Sequence, residues 1–399
     1  MAGLELKKLG YHDVVVFEKA TDVGGKINTT MYQGRPYELG AIIFNRYFKE
    51  VSKLADRYNQ ASLKISALRL VEKGGALWTY QDLIKKRYGY APFAWGAHRM
   101  LDDLAAKHTQ AGFLGQNSDL NLSMSEFVRQ HHLDAASDCV RSFLTGCGYG
   151  YYDETPALYL MKLAPIVLRD LIASGLMLGL HHSWSIFEHG WQELCRRMAA
   201  DINVKLSSTI SQINRHQHKI ELRINGVPDQ FDCIILTVPV DEILTVLDCR
   251  PNERSLFQKV RYLRYLVTLV EGEGLFTASF VDNIAANSLG HVNFVVQPHH
   301  DVPVFLIYQQ LSETMSFDEA MAFARQDVQL VQGKIKKVIR HKEWRYFPHV
   351  STEDLKAGYY EALESLQGKD GICYAGALLS FETVEHTAAY ARALVRQYF

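Results

Sequence analysis

The sequence has no paired cysteines. Its six cysteines in 399 residues (Cys139, Cys147, Cys195, Cys233, Cys249 and Cys373) are scattered, with no C-x-x-C spacing. That excludes a disulfide-built scaffold and points to reduced, mostly buried thiols of a cytoplasmic protein. Charge of one sign is lacking too: 43 Lys and Arg stand against 44 Asp and Glu, a net −1, and no basic block offers a field for nucleic acid. The longest apolar run, Leu171 to Leu180, is too short to span a bilayer and reads as a buried helix. It leaves room for shallow, peripheral membrane contact at an apolar substrate entrance. Nothing in the opening residues suggests secretion, no G-x-S-x-G elbow suggests hydrolysis, and no repeat or low-complexity segment occurs. His181-His182, His299-His300 and the HQH at 216–218 have no Cys or carboxylate at ligand spacing, so they read as solvated loop residues and no metal is expected.

A last absence lies at the front. Val14 to Phe17 is a β-branched run with the character of a buried parallel strand, and Glu18 stands at its C-terminal end. In a dinucleotide-binding βαβ unit an acidic residue there accepts hydrogen bonds from a ribose, roughly 20 residues after a G-x-G-x-x-G turn. Counting back that far from Glu18 passes Met1. Ala2 to Gly10 (AGLELKKLG) reads as the tail of the helix that follows such a turn, with Gly10 as its C-cap. The first strand and its glycines are therefore expected to be missing from the chain.

What is present is an ordinary globular composition, 48% hydrophobic and 22% charged, long enough for two domains or one interleaved pair. Gly24-Gly25-Lys26 follows the acidic-ended strand; two adjacent glycines allow a backbone approach to a pyrophosphate, and Lys26 adds charge. Gly34 marks a hairpin turn, residues 46 to 60 have helical apolar spacing, and Ile65 to Trp78 reads as a hairpin turning at Gly74-Gly75. From about 85 to 200 the pattern is mostly helical. Residues 203 to 238 give three β patterns ending in the buried run before Pro239, and residues 262 to 310 are again strand-rich. A helix is expected near 317 to 339, and the closing segment gives strand, glycine turn and amphipathic helix. Tyr149, Tyr151 and Tyr152 with Phe143, and the tryptophans Trp184 and Trp191, are expected to be structural.

The stretch VVVFEKATDVGGKINTTMYQGRPYELGA (14–41) resembles the start of flavin-containing amine oxidase family proteins. HGWQELCRRMA (189–199), VKLSSTISQI (204–213), IILTVPV (234–240) and YAGALLSFETVEHTAAYARAL (374–394) follow in the family's order. A closer likeness, to the branch of the family that isomerises double bonds of fatty acids, is carried by GYGYYDETPALYLMKL (148–163), YFPHVSTEDLKAGYYE (346–361) and GALLSF (376–381). The resemblance implies an α/β fold in which a discontinuous, Rossmann-like FAD-binding domain (1–60, 186–250 and 346–399) holds an antiparallel-sheet and helical substrate domain (61–185 and 251–345). FAD is the implied cofactor. Glu18 would hold the adenosine ribose, Gly24, Gly25 and Lys26 the phosphates, and Ile210 the adenine through its backbone. Thr237 to Pro239 would form the strand end beside FAD, with Gly40-Ala41 near the flavin. Gly376 and Ala377 match the ribityl site, and Val384 starts the helix that faces the flavin. Ala377 stands where the family usually has Asp or Glu.

Arg69 aligns with an arginine that grips a fatty-acid carboxylate; a solvated hairpin arginine is the alternative. The implied activity is FAD-dependent oxidoreduction, with hydride passing from substrate carbon to flavin N5. Isomerisation without net redox and a non-catalytic truncated flavoprotein stay open beside it. The substrate is a small apolar molecule or an amine.

Overall fold

The computed structural model describes residues 1–65, 68–104, 111–115, 118–173, 184–217, 219–283 and 288–399. Helix α1 (Ala2–Lys8) turns at Gly10, whose φ of +94° favours glycine, into strand β1 (Val15–Phe17). A hairpin of β2 (Thr29–Tyr32) and β3 (Arg35–Glu38) turns through Gln33 and Gly34, both at positive φ, which matches the twist of two-residue hairpins. Helix α2 (Lys49–Arg57) closes this opening unit.

Strands β4 (Arg69–Val71) and β5 (Leu77–Trp78) form the expected hairpin around Gly74-Gly75. The helical region then supplies α3 (Tyr90–His98), α4 (Asp134–Gly146) and α5 (Ala157–Ala173). Only the first three residues of the apolar run 171–180 lie in α5; the rest fall outside the described residues, as do His181, His182 and His218. Helix α6 (Trp191–Ala200) returns the chain to strand β6 (Asn203–Lys205), which pairs in parallel with β1. A three-stranded antiparallel sheet covers 210–231, and β7 (Ile234–Leu236) follows.

The largest sheet is built from β8 (Arg261–Glu273), β9 (Ala278–Phe280), β10 (Val292–Val296), β11 (Val304–Leu311) and β12 (Lys334–His349), joined by β4 and β5. Its order is β12-β8-β11-β10-β9-β4-β5, antiparallel except where β4 runs parallel to β9. Helix α7 (Phe317–Gln329), opened by a Ser316/Glu319 capping box, packs Met321, Ala324 and Val328 on one face against Val270, Phe305 and Ile307. The other face presents Tyr265, Val267, Leu306 and Tyr308 to Tyr37 and Leu39 of the opening unit. The helix expected near 317–339 thus ends at Gln329, and residues from Lys334 onward form β12 against β8. Backbone pairing with a long buried neighbour outweighs the local helical spacing of 334–339.

Strand β13 (Ile372–Tyr374) runs parallel to β7, and α8 (Val384–Tyr398) ends the chain against α1, where Arg396 holds the buried Glu5 carboxylate at 2.8 Å. The fold is therefore α/β, with parallel pairs made from both ends of the chain and a mostly antiparallel sheet with a helical cap between. All six cysteines are free: Cys139 and Cys373 are buried, Cys147, Cys195 and Cys249 half-buried, and Cys233 exposed. His299 is not a solvated loop residue; it is 8% exposed, and its Nε2 lies 3.0 Å from the Pro36 carbonyl. Among the described residues no group of three His, Cys, Asp or Glu could hold a metal, and no helix is long and apolar enough to cross a membrane.

Candidate functional site

Strand β1 delivers Glu18 to the start of a loop that ends at Lys26. The Glu18 carboxylate folds over the turn and accepts the Ala20 N–H at 2.8 Å, and it remains half-exposed. Gly24 has a φ of +138°, and a Cβ there would stand 2.7 Å from the Ile27 carbonyl oxygen, so the turn itself requires glycine. Gly25, at φ +60°, differs: nothing lies within 4 Å of the Cβ it lacks. Its backbone is open to an approaching group, as a phosphate cradle needs.

Helix α6 holds this loop in place. Arg196 donates to Asp22 at 3.0 Å, and the Gln192 side-chain amide donates to the Val23 carbonyl at 2.9 Å. The α6 N-terminus is capped in turn by Glu38, which accepts the Trp191 N–H at 2.8 Å and the Thr29 hydroxyl at 2.9 Å. Burial pushes the Glu38 carboxyl up to about 7 despite those donors. Trp191 is structural, as expected: it is 1% exposed and donates its indole N–H to the Ile42 carbonyl.

Lys26 meets the other end of the chain. Its Nζ donates to Glu382, the residue two before α8, and lies 5.3 Å from the centre of the Tyr346 ring. Glu382 also accepts the Phe347 N–H at 2.9 Å, and the Tyr149 hydroxyl donates to the Glu382 carbonyl at 3.1 Å. The backbone of Lys26 explains Gly40: a Cβ there would collide with the Lys26 carbonyl oxygen and stand 2.9 Å from its carbonyl carbon. The Ala41 N–H donates to the same oxygen at 3.2 Å. Gly24, Gly25, Lys26, Gly40 and Ala41 are thus one assembly, tied to the α8 N-terminus.

On the C-terminal side the Ala375 N–H donates to the Leu236 carbonyl at 2.9 Å, which sets Gly376 (φ +121°) beside Thr237. A Cβ on Gly376 would find the Thr237 carbonyl oxygen at 3.6 Å. Pro239 follows at the exposed end of β7, and Ala377 offers no side-chain hydrogen bond. Val384 is the first residue of α8, whose N-cap Thr383 accepts the His386 N–H at 3.1 Å. Glu385 reaches across to α2 and accepts the Glu50 and Val51 N–H groups at 2.8 and 3.0 Å. The half-buried His386 ring lies 2.6 Å from the Thr383 hydroxyl; desolvation and the nearby Lys162 ammonium hold its pKa down at about 3, so the ring stays neutral. Burial also lowers Lys162, to about 8.

Aromatic rings join this assembly to the large sheet. Tyr346 stacks on Tyr265 at 5.3 Å, Tyr265 on Tyr308 at 5.9 Å, and Tyr149 packs against Tyr346 and Phe381 at 5.9 and 4.8 Å. Tyr149 is therefore part of the site, whereas Tyr151 and Tyr152 are core. Phe381 has a φ of +99°, a region that costs a bulky side chain energy, yet it is 1% exposed and tightly packed.

Two residues stand apart. Ile210 begins the three-stranded sheet opposite Ile224. Arg69 is exposed on β4, with its guanidinium 5.8 Å from the Phe276 ring centre. A narrow apolar cavity of about 10 Å³, room for roughly one water, lies in the protein interior behind β4. Ile43, Phe143, Val167, Leu171, Trp184 and Phe294 line it, with Leu68 and Thr277; Arg69, although its N–H donates to the Thr277 carbonyl, directs its guanidinium over Phe276 and is not part of the wall.

Arg196, Gln192, Glu382 and Tyr149 were not among the residues expected from sequence. HGWQELCRR carries the first two, but only their contacts with a loop some 170 positions earlier give them a role. The open backbone at Gly25 and the N-terminus of a 15-residue helix offer backbone N–H groups suited to anionic groups, Gly376 gives a close backbone approach, and the Glu18 carboxylate is suited to hydroxyl donors, a set compatible with a dinucleotide. Because Glu382 already neutralises Lys26, backbone N–H groups are the main donors there.

The family model for flavin containing amine oxidoreductases matches residues 1–270. No curated protein matches by sequence. Among solved structures, the CLA-producing fatty acid isomerase from P. acnes is 26% identical with a TM-score of 0.88, over 100% of this chain and 95% of that one. Putrescine oxidase bound to putrescine is 15% identical with a TM-score of 0.74 over 99% and 95% of the two chains. Cyclohexylamine oxidase from Brevibacterium oxydans IH-35A is 13% identical with a TM-score of 0.69 over 100% and 95%. The last two likenesses speak for the fold alone.

Proposed function

The chain belongs to the flavin containing amine oxidoreductase family, and from that premise we propose that it is an FAD-dependent enzyme acting on a C–H bond of an apolar carboxylic acid. FAD, when bound, supplies a reversible two-electron acceptor for that bond. In this reading the chain's own residues bind and orient. Glu18 accepts from ribose hydroxyls, the Gly24-Gly25 backbone approaches the pyrophosphate with Lys26 beside it, and the Ile210 backbone meets the adenine. Thr237 to Pro239 and Gly40-Ala41 border the cofactor, Gly376-Ala377 face the ribityl chain, and the Val384 end of α8 stabilises negative charge on the ring system. The ring wall of Tyr149, Tyr346 and Phe381 excludes water.

The observation that supports the substrate class is the likeness, over the whole chain, to a solved fatty acid isomerase. Arg69, exposed on β4, offers a cation that can meet a carboxylate. A carboxylate held by Arg69 suits such an acid, whereas a cationic amine would be repelled there. The likeness to the fatty acid isomerase favours return of the hydrogen to a different carbon, so that isomerisation without net oxidation is preferred and net oxidation is the second reading.

The test is to reconstitute the purified chain with FAD, desalt it, and incubate it with a polyunsaturated fatty acid or with an alkylamine. Conjugated-diene absorbance without oxygen uptake supports isomerisation. Oxygen uptake with the acid supports oxidation, and turnover of the amine alone overturns the substrate class. Arg69→Ala should raise KM for the acid about tenfold or more while leaving flavin retention unchanged.

A further inference from the structure

Helix α3 carries no Asp, Glu, Lys or Arg along its length, yet most of it faces outward. Tyr90, Ala91, Pro92, Ala94, Trp95 and His98 are exposed, while Phe93, Gly96 and Ala97 pack inward. Trp95 is 45% and Tyr90 36% exposed, with Leu77 at 45% on the strand that leads into this region. Ala91, Ala94, Trp95 and His98 fall along one stripe of a 3.6-residue helix. A helix in water normally turns charge outward; an exposed apolar stripe with Trp and Tyr is the pattern of an element that rests in an interface.

The charge around the stripe selects the partner. From Leu77 to Arg99 there are four cations (Lys85, Lys86, Arg87 and Arg99) against one anion, Asp82, in a chain whose net charge is −1; Asp102 and Asp103 follow, and Asp102 lies 2.6 Å from His98 at the C-terminal end of the stripe. Lys86 lies 4.8 Å from the centre of the Trp78 ring and Arg99 5.3 Å from that of Trp95, so the cations edge the aromatic surface. Lys86 also pairs with Asp82, and Arg87 with Glu72 and Asp138. Lys85 is exposed and has no carboxylate partner among the described residues. Apolar area edged by cations matches a bilayer surface bearing anionic headgroups.

We propose that this face, centred on Trp95 and Tyr90 with Lys85 at its edge, docks on the surface of a bilayer that contains anionic lipid. The position suits the site as well. Helix α3 packs on α4 through Gly96, where a Cβ would stand 3.2 Å from the Ala136 Cβ, and α4 supplies Phe143 to the apolar cavity. Docking here would bring the helical cap to the source of an apolar substrate, a point that rests on the proposed substrate class; the docking itself does not.

The experiment uses the full chain with vesicles of phosphatidylcholine alone or of equimolar phosphatidylcholine and phosphatidylglycerol. Co-sedimentation and quenching of tryptophan emission by brominated acyl chains are read together. Binding to the mixed vesicles and not to the neutral ones is expected, with quenching lost in Trp95→Phe and binding abolished in Trp95→Glu. Lys85→Gln should weaken binding about five-fold. Equal binding to both vesicles, unchanged quenching in Trp95→Phe, or lipid-independent self-association that Trp95→Glu breaks would each overturn the proposal; the last would assign the face to a second copy of the chain. Flavin retention, read on the same sample, separates failure of the catalytic reading from failure of docking.

Discussion

The Nζ of Lys26 lies 2.8 Å from both carboxylate oxygens of Glu382, across a sequence separation of 356 residues. This pair ties the glycine loop to the start of α8, and the Phe347 N–H gives the same carboxylate a third hydrogen bond. Glu382 is 8% exposed and Lys26 30%, so the pair is shielded on one side only.

Glu382→Gln should therefore cost about 2 kcal/mol in urea-induced unfolding, because the ammonium loses its counter-charge while one acceptor remains. Lys26→Met should cost a similar amount, and the double variant less than the sum of the two. Additive costs would mean that the two residues act independently.

Glu38 predicts a pH dependence. Burial raises its carboxyl from 4.5 to about 7 in the folded chain. Between those values the folded state binds more protons than the unfolded one, so this group's contribution is fully present below pH 4.5 and is lost as pH rises through 7. The loss is on the order of 3 kcal/mol. Glu38→Gln mimics the protonated form, and the stability difference between variant and wild type, measured from acid to neutral pH, should move in the variant's favour as pH rises. A constant difference would show that Glu38 titrates normally.

Two glycines separate folding from binding. Gly40→Ala drives a methyl group into the Lys26 carbonyl and should cost more than about 3 kcal/mol or prevent folding, since neither backbone can yield. Gly25→Ala meets open space and should cost only about 1 kcal/mol for its positive φ. Its effect should fall on FAD retention, weakened about tenfold in an equilibrium titration, because the methyl occupies the phosphate approach. Unchanged retention would remove the glycine loop from the cofactor site.

Phe381 reverses the usual order of glycine and alanine. Both truncations lose a ring that packs against Tyr149 and Phe347, but only glycine relieves the φ of +99°. Phe381→Gly should exceed Phe381→Ala in stability by about 1–2 kcal/mol, as read by chemical denaturation.

Local features were legible. The Gln33-Gly34 hairpin, the Gly74-Gly75 turn, the acidic end of β1 and the amphipathic α8 are written in short-range spacing, because turn dihedrals and helix caps depend on a few adjacent residues. The residues from Lys334 to Ile339 were misread as helix, since their apolar spacing permits one; a partner strand more than 60 residues away decides otherwise.

The sequence by itself determined the α/β class, the paired glycines and the strand-end carboxylate, all local consequences of backbone chemistry. Tertiary structure alone decided that Glu382 occupies Lys26, that Arg196 and Gln192 hold the loop, that Gly40 is required by the Lys26 carbonyl, and that Arg69 lies over Phe276, away from the glycine site. Those relationships join residues tens to hundreds of positions apart, and close packing, which no local pattern encodes, brings them together.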